Sequence, residues 1–279
     1  MTSVFHNRTR RSRSIPLSLL RRGRILDIPV YYLLRASDLA REGLDRSGSY
    51  RFADHIYRSE PSGQGAFGRW LDARLLGMPA ARAFRFRYLA AREELARFLI
   101  ERAGRAIDEP TDVLSVPCGV PRELADAASD VRESSGGLSG SVAFHGLDLD
   151  DTVLAEACAF MARRGLGRFT AIRGDALDRR SYPGRFDFIT CTGLTEFLDD
   201  ETAGRLYGVL FDVLEPEGCF LTSGMTRRWA SDYLLQLGEL RTQYRDGNAL
   251  RRLLEPLPFR SLSVRVDPTG LQTVVTARK

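Results

Sequence analysis

Two acidic side chains stand at the predicted ends of two strands. Asp148 closes the apolar stretch Val142–Leu147, and Asp175 follows the stretch Phe169–Ile172. Ligands of open α/β sheets bind outside the carboxyl ends of the strands, at the point where the strand order reverses. The positions of both carboxylates therefore predict a ligand-binding role. The local sequence also fits a plainer alternative, in which Asp148 and Asp150 cap helices and Asp175 is a turn residue.

The segment VLSVPCGVPREL, residues 113–124, predicts a buried strand, a tight turn and the start of a helix. That layout is typical of a nucleotide-binding loop, but such loops are built on glycine, and Pro117 and Pro121 occupy two of the expected positions here. Proline ends a strand at little cost because it lacks an N–H, and it suits the first turn of a helix. Gly119 is then the residue that is free to adopt a positive φ. We interpret the segment as a stiffened loop that still binds its ligand.

The elements that must position these residues alternate regularly between strand and helix. Predicted strands are Val113–Val116, Val142–Leu147, Phe169–Ile172, Phe186–Cys191 and Cys219–Thr222. Predicted helices are Pro121–Val131, Thr152–Arg164, Glu201–Leu214 and a broken stretch from about Trp229 to Leu254. This alternation indicates a parallel sheet covered by helices on both faces. Residues 259–279 read as two alternating strands joined by Asp-Pro-Thr-Gly, which predicts an antiparallel hairpin that closes the sheet.

The chain is predicted to have three parts. Residues 1–24 contain arginines but no acidic residue, and they are predicted to be a basic, disordered leader. Residues 25–108 carry apolar residues at helical spacings, which predicts a helical cap. Residues 109–279 form the α/β part, and the polar stretch 108–112 marks the predicted boundary between the two.

In their order and spacing, these motifs resemble those of the class I S-adenosylmethionine-dependent methyltransferases. VLSVPCGVP stands where that family has its glycine-rich motif, GLDLD supplies the acid at the end of the second strand, and GDA supplies the acid after the third. FDFITCTGLTEFLDD and LEPEGCFLTSG correspond to the fourth and fifth strands. The resemblance covers about residues 110–279. It implies an α/β, Rossmann-like fold with a mostly parallel seven-stranded sheet and an antiparallel C-terminal hairpin, preceded here by the helical cap.

The resemblance implies a binding site for S-adenosyl-L-methionine, and the widely spaced cysteines indicate no metal site. Asp148 would accept both ribose hydroxyl protons, Asp175 would accept from the adenine amino group, and the Ala176 N–H would donate to the adenine ring. Gly119 would let the backbone approach the methionine part, whose carboxylate would face the N–H groups of the helix that begins near Pro121. The implied cofactor-binding residues are Ser115, Pro117, Cys118, Gly119, Asp148, Leu149, Asp175, Ala176, Thr192 and Gly193.

Ser115 departs from the family pattern. The family usually has an acid at this position, and a neutral hydroxyl does not replace the charge of a carboxylate. The open question about this site is therefore how the positively charged amino group of the methionine part is held.

Candidate catalytic residues come from two segments of the chain. Tyr50, His55 and Tyr57 cluster with Phe52 in the helical part, and this segment is predicted to fold over the cofactor as a lid whose aromatic faces stabilise a sulfonium cation. Glu196, after the fourth strand, is predicted to be a base that reaches the acceptor. The alternatives are that the aromatic residues only pack and that Glu196 is a solvated helix residue.

Charge and motifs favour a small-molecule acceptor over nucleic acid. The net charge of +5 arises from the leader, and the rest of the chain is close to balanced. The sequence also lacks the Asn/Asp-Pro-Pro-Tyr motif of enzymes that methylate amino groups of nucleic acids. Arg227, Arg228 and Arg245 are candidates for binding a substrate carboxylate or phosphate, with ordinary surface arginines as the alternative.

The remaining composition favours a cytoplasmic, bacterial protein. The four cysteines lie far apart without a CxxC pair, which favours reduced thiols over a zinc site. No apolar run is long enough to span a bilayer, and the first residues do not have the pattern of a secretory signal. Lysine occurs once, at Lys279, and arginine is used everywhere else, which is typical of a GC-rich genome.

The stretch Gly63-Gln64-Gly65-Ala66-Phe67-Gly68 matches GxGxxG, the fingerprint of dinucleotide-binding loops. It follows Ser-Glu-Pro-Ser rather than a strand, and it precedes the α/β part. We therefore interpret it as a connection between helices and not as a phosphate-binding loop.

Three hypotheses of function follow. The leading one is an S-adenosylmethionine-dependent enzyme that methylates a small molecule, in secondary metabolism. The second is a cyclase of the azetidine-carboxylate type, in which the cofactor is the substrate and the products are methylthioadenosine and a small-ring amino acid. The third is a non-catalytic binding module whose basic tail tethers it to RNA or a membrane. The sequence leaves the oligomeric state open.

Overall fold

The chain divides into two compact units. The computed structural model describes residues 15–46, 49–104, 110–135, 142–227 and 242–279. The first unit comprises residues 1–85 and 227–242, and the second comprises residues 86–226 and 243–279. We call the first the helical unit and the second the sheet unit.

Short helices build the helical unit, as predicted for this part of the chain. They are α1 (Ile15–Arg21), α2 (Asp27–Leu34), α3 (Asp38–Asp45), α4 (Tyr50–Arg58) and α5 (Gly65–Leu76), followed by the start of the long helix α6 (Pro79–Gly104). Serine hydroxyls cap α3 and α4: Ser37 accepts from the Ala40 N–H, and Ser49 accepts from the Phe52 N–H. Helix α1 begins within the predicted leader, and residues 1–14 of that leader lie outside the described residues.

One buried carboxylate joins four segments of the helical unit. Asp72 on α5 is fully buried and accepts hydrogen bonds from the Ser37 hydroxyl (2.5 Å), the Leu39 N–H (2.9 Å) and the Ser62 N–H (3.1 Å). The first two bonds are to Oδ1, and Oδ2, which accepts from Ser62, also lies 2.8 Å from Nε2 of His55. Burial by itself raises the pKa of a carboxyl, but these hydrogen bonds outweigh it, so the pKa of Asp72 is lowered.

A seven-stranded sheet forms the centre of the sheet unit. Its strands are β1 (Thr111–Ser115), β2 (Val142–Asp148), β3 (Phe169–Arg173), β4 (Phe186–Cys191), β5 (Leu214–Met225), β6 (Ser261–Val266) and β7 (Gln272–Arg278). They lie in the order β3-β2-β1-β4-β5-β7-β6. Strands β1 to β5 are parallel, and β7 pairs antiparallel with both β5 and β6. The predicted α/β fold, with its mostly parallel sheet and antiparallel C-terminal hairpin, is confirmed.

Among the described residues, four helices connect the strands, and the strand order reverses between β1 and β4. The helices are α7 (Arg122–Ser135), α8 (Asp151–Arg163), α9 (Asp200–Asp212) and α10 (Gly247–Leu254). The residues of β4 are buried throughout, as expected for a central strand of a parallel sheet. Because the chain runs from β1 to β2 on one side and β4 lies on the other, a crevice at the ends of β1 and β4 is the expected ligand position.

Strand β5 is longer than predicted. It begins at Leu214, whereas the sequence predicted a helix up to that residue and a strand from Cys219. Pro216 and Gly218 indicate a turn, but the strand accommodates them because Glu217 adopts a φ of 64° and the pairing with β4 shifts register there. Of the predicted broken helix from Trp229 to Leu254, residues 228–241 lie outside the described residues, and α10 covers the end.

All four cysteines are free thiols. Cys118, Cys191 and Cys219 are buried, and Cys158 on α8 is exposed. Burial raises the pKa of Cys191 and of Cys219 to about 12 and that of Cys118 well above its usual value, which keeps these thiols protonated. None of the described helices is long and apolar enough to cross a membrane.

We expect Asp72→Asn to destabilise the chain by about 3 kcal/mol, because an amide cannot accept all four contacts and loses the charge that strengthens them. Since the pKa of Asp72 is lowered by folding, its stabilising effect is present above the ordinary carboxyl pKa and is lost as the pH falls through the lowered value. Acidification should therefore reduce the stability of the native chain more than that of the variant. Urea unfolding at neutral and acidic pH measures both effects.

The matched control is Glu60→Gln, because the Glu60 side chain is 76% exposed. Its free energy of unfolding should stay within about 0.5 kcal/mol of the native value. Equal stabilities for the Asp72 and Glu60 variants would contradict the structural role assigned to Asp72.

Candidate functional site

Backbone hydrogen bonds hold the loop after β1 between the ends of β2 and β4. The Val116 N–H donates to the Thr190 carbonyl (2.9 Å), and the Cys118 N–H donates to the Leu147 carbonyl (2.8 Å). The peptide bond before Pro117 is cis, and Gly119 has a φ of 51°. The prediction that Gly119 takes the positive φ of this turn is confirmed.

Asp148 lies where the sequence placed it, at the end of β2 beside this loop. Its Oδ2 accepts from the Gly119 N–H at 3.4 Å, and its Oδ1 accepts from the Asp150 N–H at 3.2 Å. Burial raises the pKa of the Asp148 carboxyl, and the backbone hydrogen bonds oppose that effect only in part. Asp150 caps α8 by accepting from the Thr152 N–H, so the capping role belongs to Asp150 and not to Asp148.

The end of β3 lies directly beside Asp148. The Gly174 N–H donates to the Asp148 carbonyl at 3.0 Å, which brings the following residue, Asp175, next to the end of β2. Asp175 is exposed, and its Oδ1 accepts from the Leu177 N–H at 3.0 Å, so it is a turn residue whose carboxylate still reaches solvent. The buried Ala176 is fixed by Tyr182, whose hydroxyl donates to the Ala176 carbonyl at 2.8 Å.

A buried ion pair follows β4. Nη1 of Arg87, on α6, lies 3.0 Å from Oε1 of Glu196, and both side chains are almost completely buried. Gly193 has a φ of 84°, and a Cβ at this position would lie 3.3 Å from the Arg87 guanidinium. Thr192 and Gly193 are both partly buried at this strand end. Glu196 is therefore not a solvated helix residue; its role as a base stays a prediction.

Ser115 ends β1, and its hydroxyl contacts a second buried carboxylate. Its Oγ donates to Oε1 of Glu123 at 3.0 Å, and both residues are buried. Burial raises the pKa of the Glu123 carboxyl, although its own N–H, the Ser115 hydroxyl and the charge of Arg87 act in the opposite direction. The sequence analysis did not single out Glu123 or Arg87. The sequence does contain a signal for Glu123. It is an acid in the first turn of the helix that follows β1, and β1 ends at Ser115 instead of the acid that the resembled family usually has there.

The three aromatic candidates lie on α4 in the helical unit. His55 is buried and contacts Asp72, and the Tyr50 ring lies 5.6 Å from the guanidinium carbon of Arg51. Tyr57 is partly buried against a cluster that consists of Leu39, Ile56, Leu76 and Ala81. These contacts show structural roles for His55 and Tyr57, and a catalytic role for the three residues stays a prediction.

Arg245 is buried, so the expectation of a surface arginine is wrong for this residue, and its role in binding a substrate stays a prediction. Its guanidinium donates to the carbonyls of Thr195 (2.5 Å) and Leu198 (2.7 Å) and to the Asp200 carboxylate (2.8 Å). These hydrogen bonds hold the segment between β4 and α9 in place. Arg227 is exposed, and Arg228 lies outside the described residues.

The GxGxxG stretch does not follow a strand: Gly63 and Gln64 lie between α4 and α5, as predicted, whereas Gly65 to Gly68 form the start of α5 itself. A Cβ at Gly63 or at Gly68 would lie 2.6 Å or 2.4 Å from the Ala36 carbonyl oxygen. The glycines therefore allow close packing of backbone segments within the helical unit, which explains the motif without a phosphate.

Comparison with known proteins gives a family match within the sheet unit. Residues 113–218 match the family model of a methyltransferase domain. The match includes the loop after β1 and the strand ends that carry Asp148, Asp175 and Glu196. None of the curated proteins matches the chain.

Solved structures share the fold of this chain. A possible exported protein from Bordetella parapertussis is 26% identical with a TM-score of 0.73, and the match covers 91% of this chain and 87% of that one. Magnesium protoporphyrin IX methyltransferase from Synechocystis PCC 6803, with bound S-adenosylhomocysteine, is 14% identical with a TM-score of 0.55 and coverages of 87% and 100%. The same enzyme with bound S-adenosylmethionine gives a TM-score of 0.53. At this identity the Synechocystis structures establish the fold alone.

We expect Gly146→Ala to disturb the loop after β1. A Cβ at Gly146 on β2 would lie 2.3 Å from Sγ of Cys118 and 2.6 Å from the Phe169 ring, so the loop or the strand must shift. The expected cost is about 1–3 kcal/mol in the free energy of unfolding. The matched control is Gly204→Ala on α9, where a Cβ meets nothing within 4 Å, and it should stabilise the helix by about 0.5–1 kcal/mol. Denaturant unfolding measures both changes. A lower free energy of unfolding for the Gly146 variant and a higher one for the Gly204 variant support this account, and equal changes would contradict it.

Proposed function

We propose that the protein transfers a methyl group from S-adenosyl-L-methionine to a small-molecule acceptor, with the cofactor bound at the carboxyl ends of β1, β2 and β3. The observation that carries the proposal is the position of Asp148, whose carboxylate lies at the end of β2 and reaches the positive-φ glycine of the loop after β1. The methyltransferase domain match supports the same reaction class.

The residues at the strand ends fit the parts of this cofactor. Asp148 offers a carboxylate for the two ribose hydroxyls, and Leu149 beside it is 38% exposed and offers an apolar face to the base. The exposed carboxylate of Asp175 would accept from the adenine amino group. The Gly119 N–H donates to the Asp148 carboxylate, and the N–H of Gly174, the residue before Asp175, donates to the Asp148 carbonyl. One ligand can therefore contact Asp148, Gly119 and Asp175.

When bound, S-adenosylmethionine supplies an electrophilic methyl carbon on a positively charged sulfur. The chain then has to position the acceptor in line with that carbon and exclude water. Glu196 and Arg87 form a fixed, buried charge pair after β4, next to Gly193. In this proposal the ion pair forms part of the wall of the crevice. Glu196 acts as a base only if binding of the acceptor separates its carboxylate from the Arg87 guanidinium.

A small acceptor is supported by the charge of the chain. The excess of basic residues lies in residues 1–24, and the rest offers no strongly basic platform for a nucleic acid. We further propose a bacterial enzyme of secondary metabolism that acts in the cytoplasm, which agrees with the arginine-dominated composition and the four free cysteines. The cyclase hypothesis gains no support from the domain match or from the neighbouring structures.

The proposal is tested by incubating the purified chain with S-adenosylmethionine, first alone and then with cell extract, and by identifying the sulfur-containing product. S-Adenosylhomocysteine that forms only with extract supports methyl transfer to an acceptor. Methylthioadenosine formed without extract would overturn it in favour of the cyclase. Calorimetry that detects no binding of the cofactor would overturn it in favour of a non-catalytic module.

We expect Asp148→Asn to weaken binding of S-adenosylhomocysteine by roughly 10–100-fold, because hydrogen bonds to a charged acceptor contribute about 1.5–3 kcal/mol. Since burial raises the pKa of Asp148, protonation begins at a higher pH than for an ordinary carboxyl. The affinity of the native chain should therefore fall as the pH is lowered, and that of the variant should change less. Asp151→Asn is the control, because Asp151 is exposed at the start of α8. Titration calorimetry across the pH range measures these effects, and equal affinities for native chain and Asp148 variant would contradict the assignment.

A further inference from the structure

A cluster of buried charges lies at the carboxyl ends of β1 and β4. It consists of Ser115 and Glu123, joined by a hydrogen bond of 3.0 Å, and of Arg87 and Glu196, joined by an ion pair of 3.0 Å. Arg87 is 3% exposed, Glu196 4% and Glu123 9%. The two pairs lie at neighbouring strand ends, because Ser115 on β1 is in register with Thr190 on β4.

The cluster contains two carboxylates and one guanidinium. Arg87 makes its direct ion pair with Glu196. Asp126 also acts on Glu123 with a like charge, and Asp126 is itself bound by Tyr88 and Arg164. A buried carboxylate is costly unless a cation or several donors compensate it, and here burial outweighs the available compensation, so the pKa of Glu123 is raised. The Ser115 hydroxyl engages Oε1 of this carboxylate, and a positively charged group beside Glu123 would compensate the remaining cost of its burial.

Glu123 is joined to the end of β1 beside the loop that contacts Asp148. It lies in the first turn of α7, and its side chain reaches back to the last residue of β1. The loop between these two residues is the one that contacts Asp148 through Gly119. A ligand that binds Asp148 with one end and extends along this loop would bring its other end to Ser115 and Glu123.

We propose that Glu123 binds the α-ammonium group of the methionine part of the cofactor, in place of the acid that is missing at Ser115. The inference rests on the proposed function, and it deepens it by assigning the amino-acid end of the ligand. An ammonium group offers three N–H donors and one positive charge, which complements a carboxylate with lone pairs left over from the Ser115 contact. Ser115 is the positioning residue, since its hydroxyl holds Oε1 of Glu123.

The test compares two nucleosides that differ in the amino-acid part. S-Adenosylhomocysteine carries the ammonium group, whereas 5′-methylthioadenosine has the same adenine and ribose but no amino-acid part. We expect Glu123→Gln to weaken binding of S-adenosylhomocysteine by roughly 10–100-fold and to change that of methylthioadenosine by less than about twofold. Glutamine has nearly the same shape and still accepts from the Ser115 hydroxyl, which favours folding of the variant.

Two further variants separate charge from structure. Glu133→Gln removes an exposed carboxylate from the same helix and should leave both affinities unchanged. The double variant with Ser115→Asp and Glu123→Gln returns a carboxylate to the end of β1 and should recover most of the affinity for S-adenosylhomocysteine. If Glu123→Gln does not fold, Ser115→Ala carries the test, with an expected loss of about fivefold for S-adenosylhomocysteine alone.

The outcomes distinguish this inference from the function on which it rests. A native chain that binds neither nucleoside overturns the proposed function. If the native chain binds both nucleosides, and Glu123→Gln lowers both affinities equally or neither of them, the assignment of Glu123 is overturned. The proposed function then still stands. Selective loss of S-adenosylhomocysteine binding, restored in the double variant, supports the assignment.

Discussion

Hydrogen bonds between neighbouring strand ends hold the candidate site together. The carbonyls of Leu147 and Thr190, at the ends of β2 and β4, accept from the loop after β1, and the carbonyl of Asp148 accepts from the residue before Asp175. The loop is thereby linked to the ends of β2 and β4, and the residue after β3 is linked to the end of β2. Because these bonds use backbone groups, the side chains of Asp148 and Asp175 remain available to a ligand, and the close approach of the loop to β2 requires the absence of a side chain at Gly146.

The sheet and the acids at its edge could be predicted from sequence because their signals are local. Apolar runs mark the strands, and Asp148, Asp175 and Gly119 lie within a few residues of a strand end. The ion pair of Arg87 with Glu196 joins residues that are 109 positions apart, and nothing in either local sequence indicates the other. Arg245 illustrates the same limit, since its sequence neighbourhood is polar but its carbonyl partners lie near position 195. Long-range partners of charged residues therefore had to come from the structure.

Similar residue patterns serve different purposes in the two units. In the helical unit, a glycine-rich motif that matches a dinucleotide fingerprint packs against the Ala36 carbonyl, and a buried aspartate and histidine form a structural contact around Asp72. In the sheet unit, a loop with prolines at positions typical of glycine lies at the point where the strand order reverses. The difference follows from the preceding element: a strand end presents a ligand crevice, whereas a helix connection does not.

The burial of three thiols leaves Cys158 as the one cysteine of the sequence that is open to solvent. A maleimide dye added to the folded chain would therefore attach at this single position, without any need to remove the other cysteines. Helix α8, which carries Cys158, also carries Leu154 and Ala157, and these pack with Cys118 from the loop after β1. Fluorescence from such a dye would report on movements of that loop in solution.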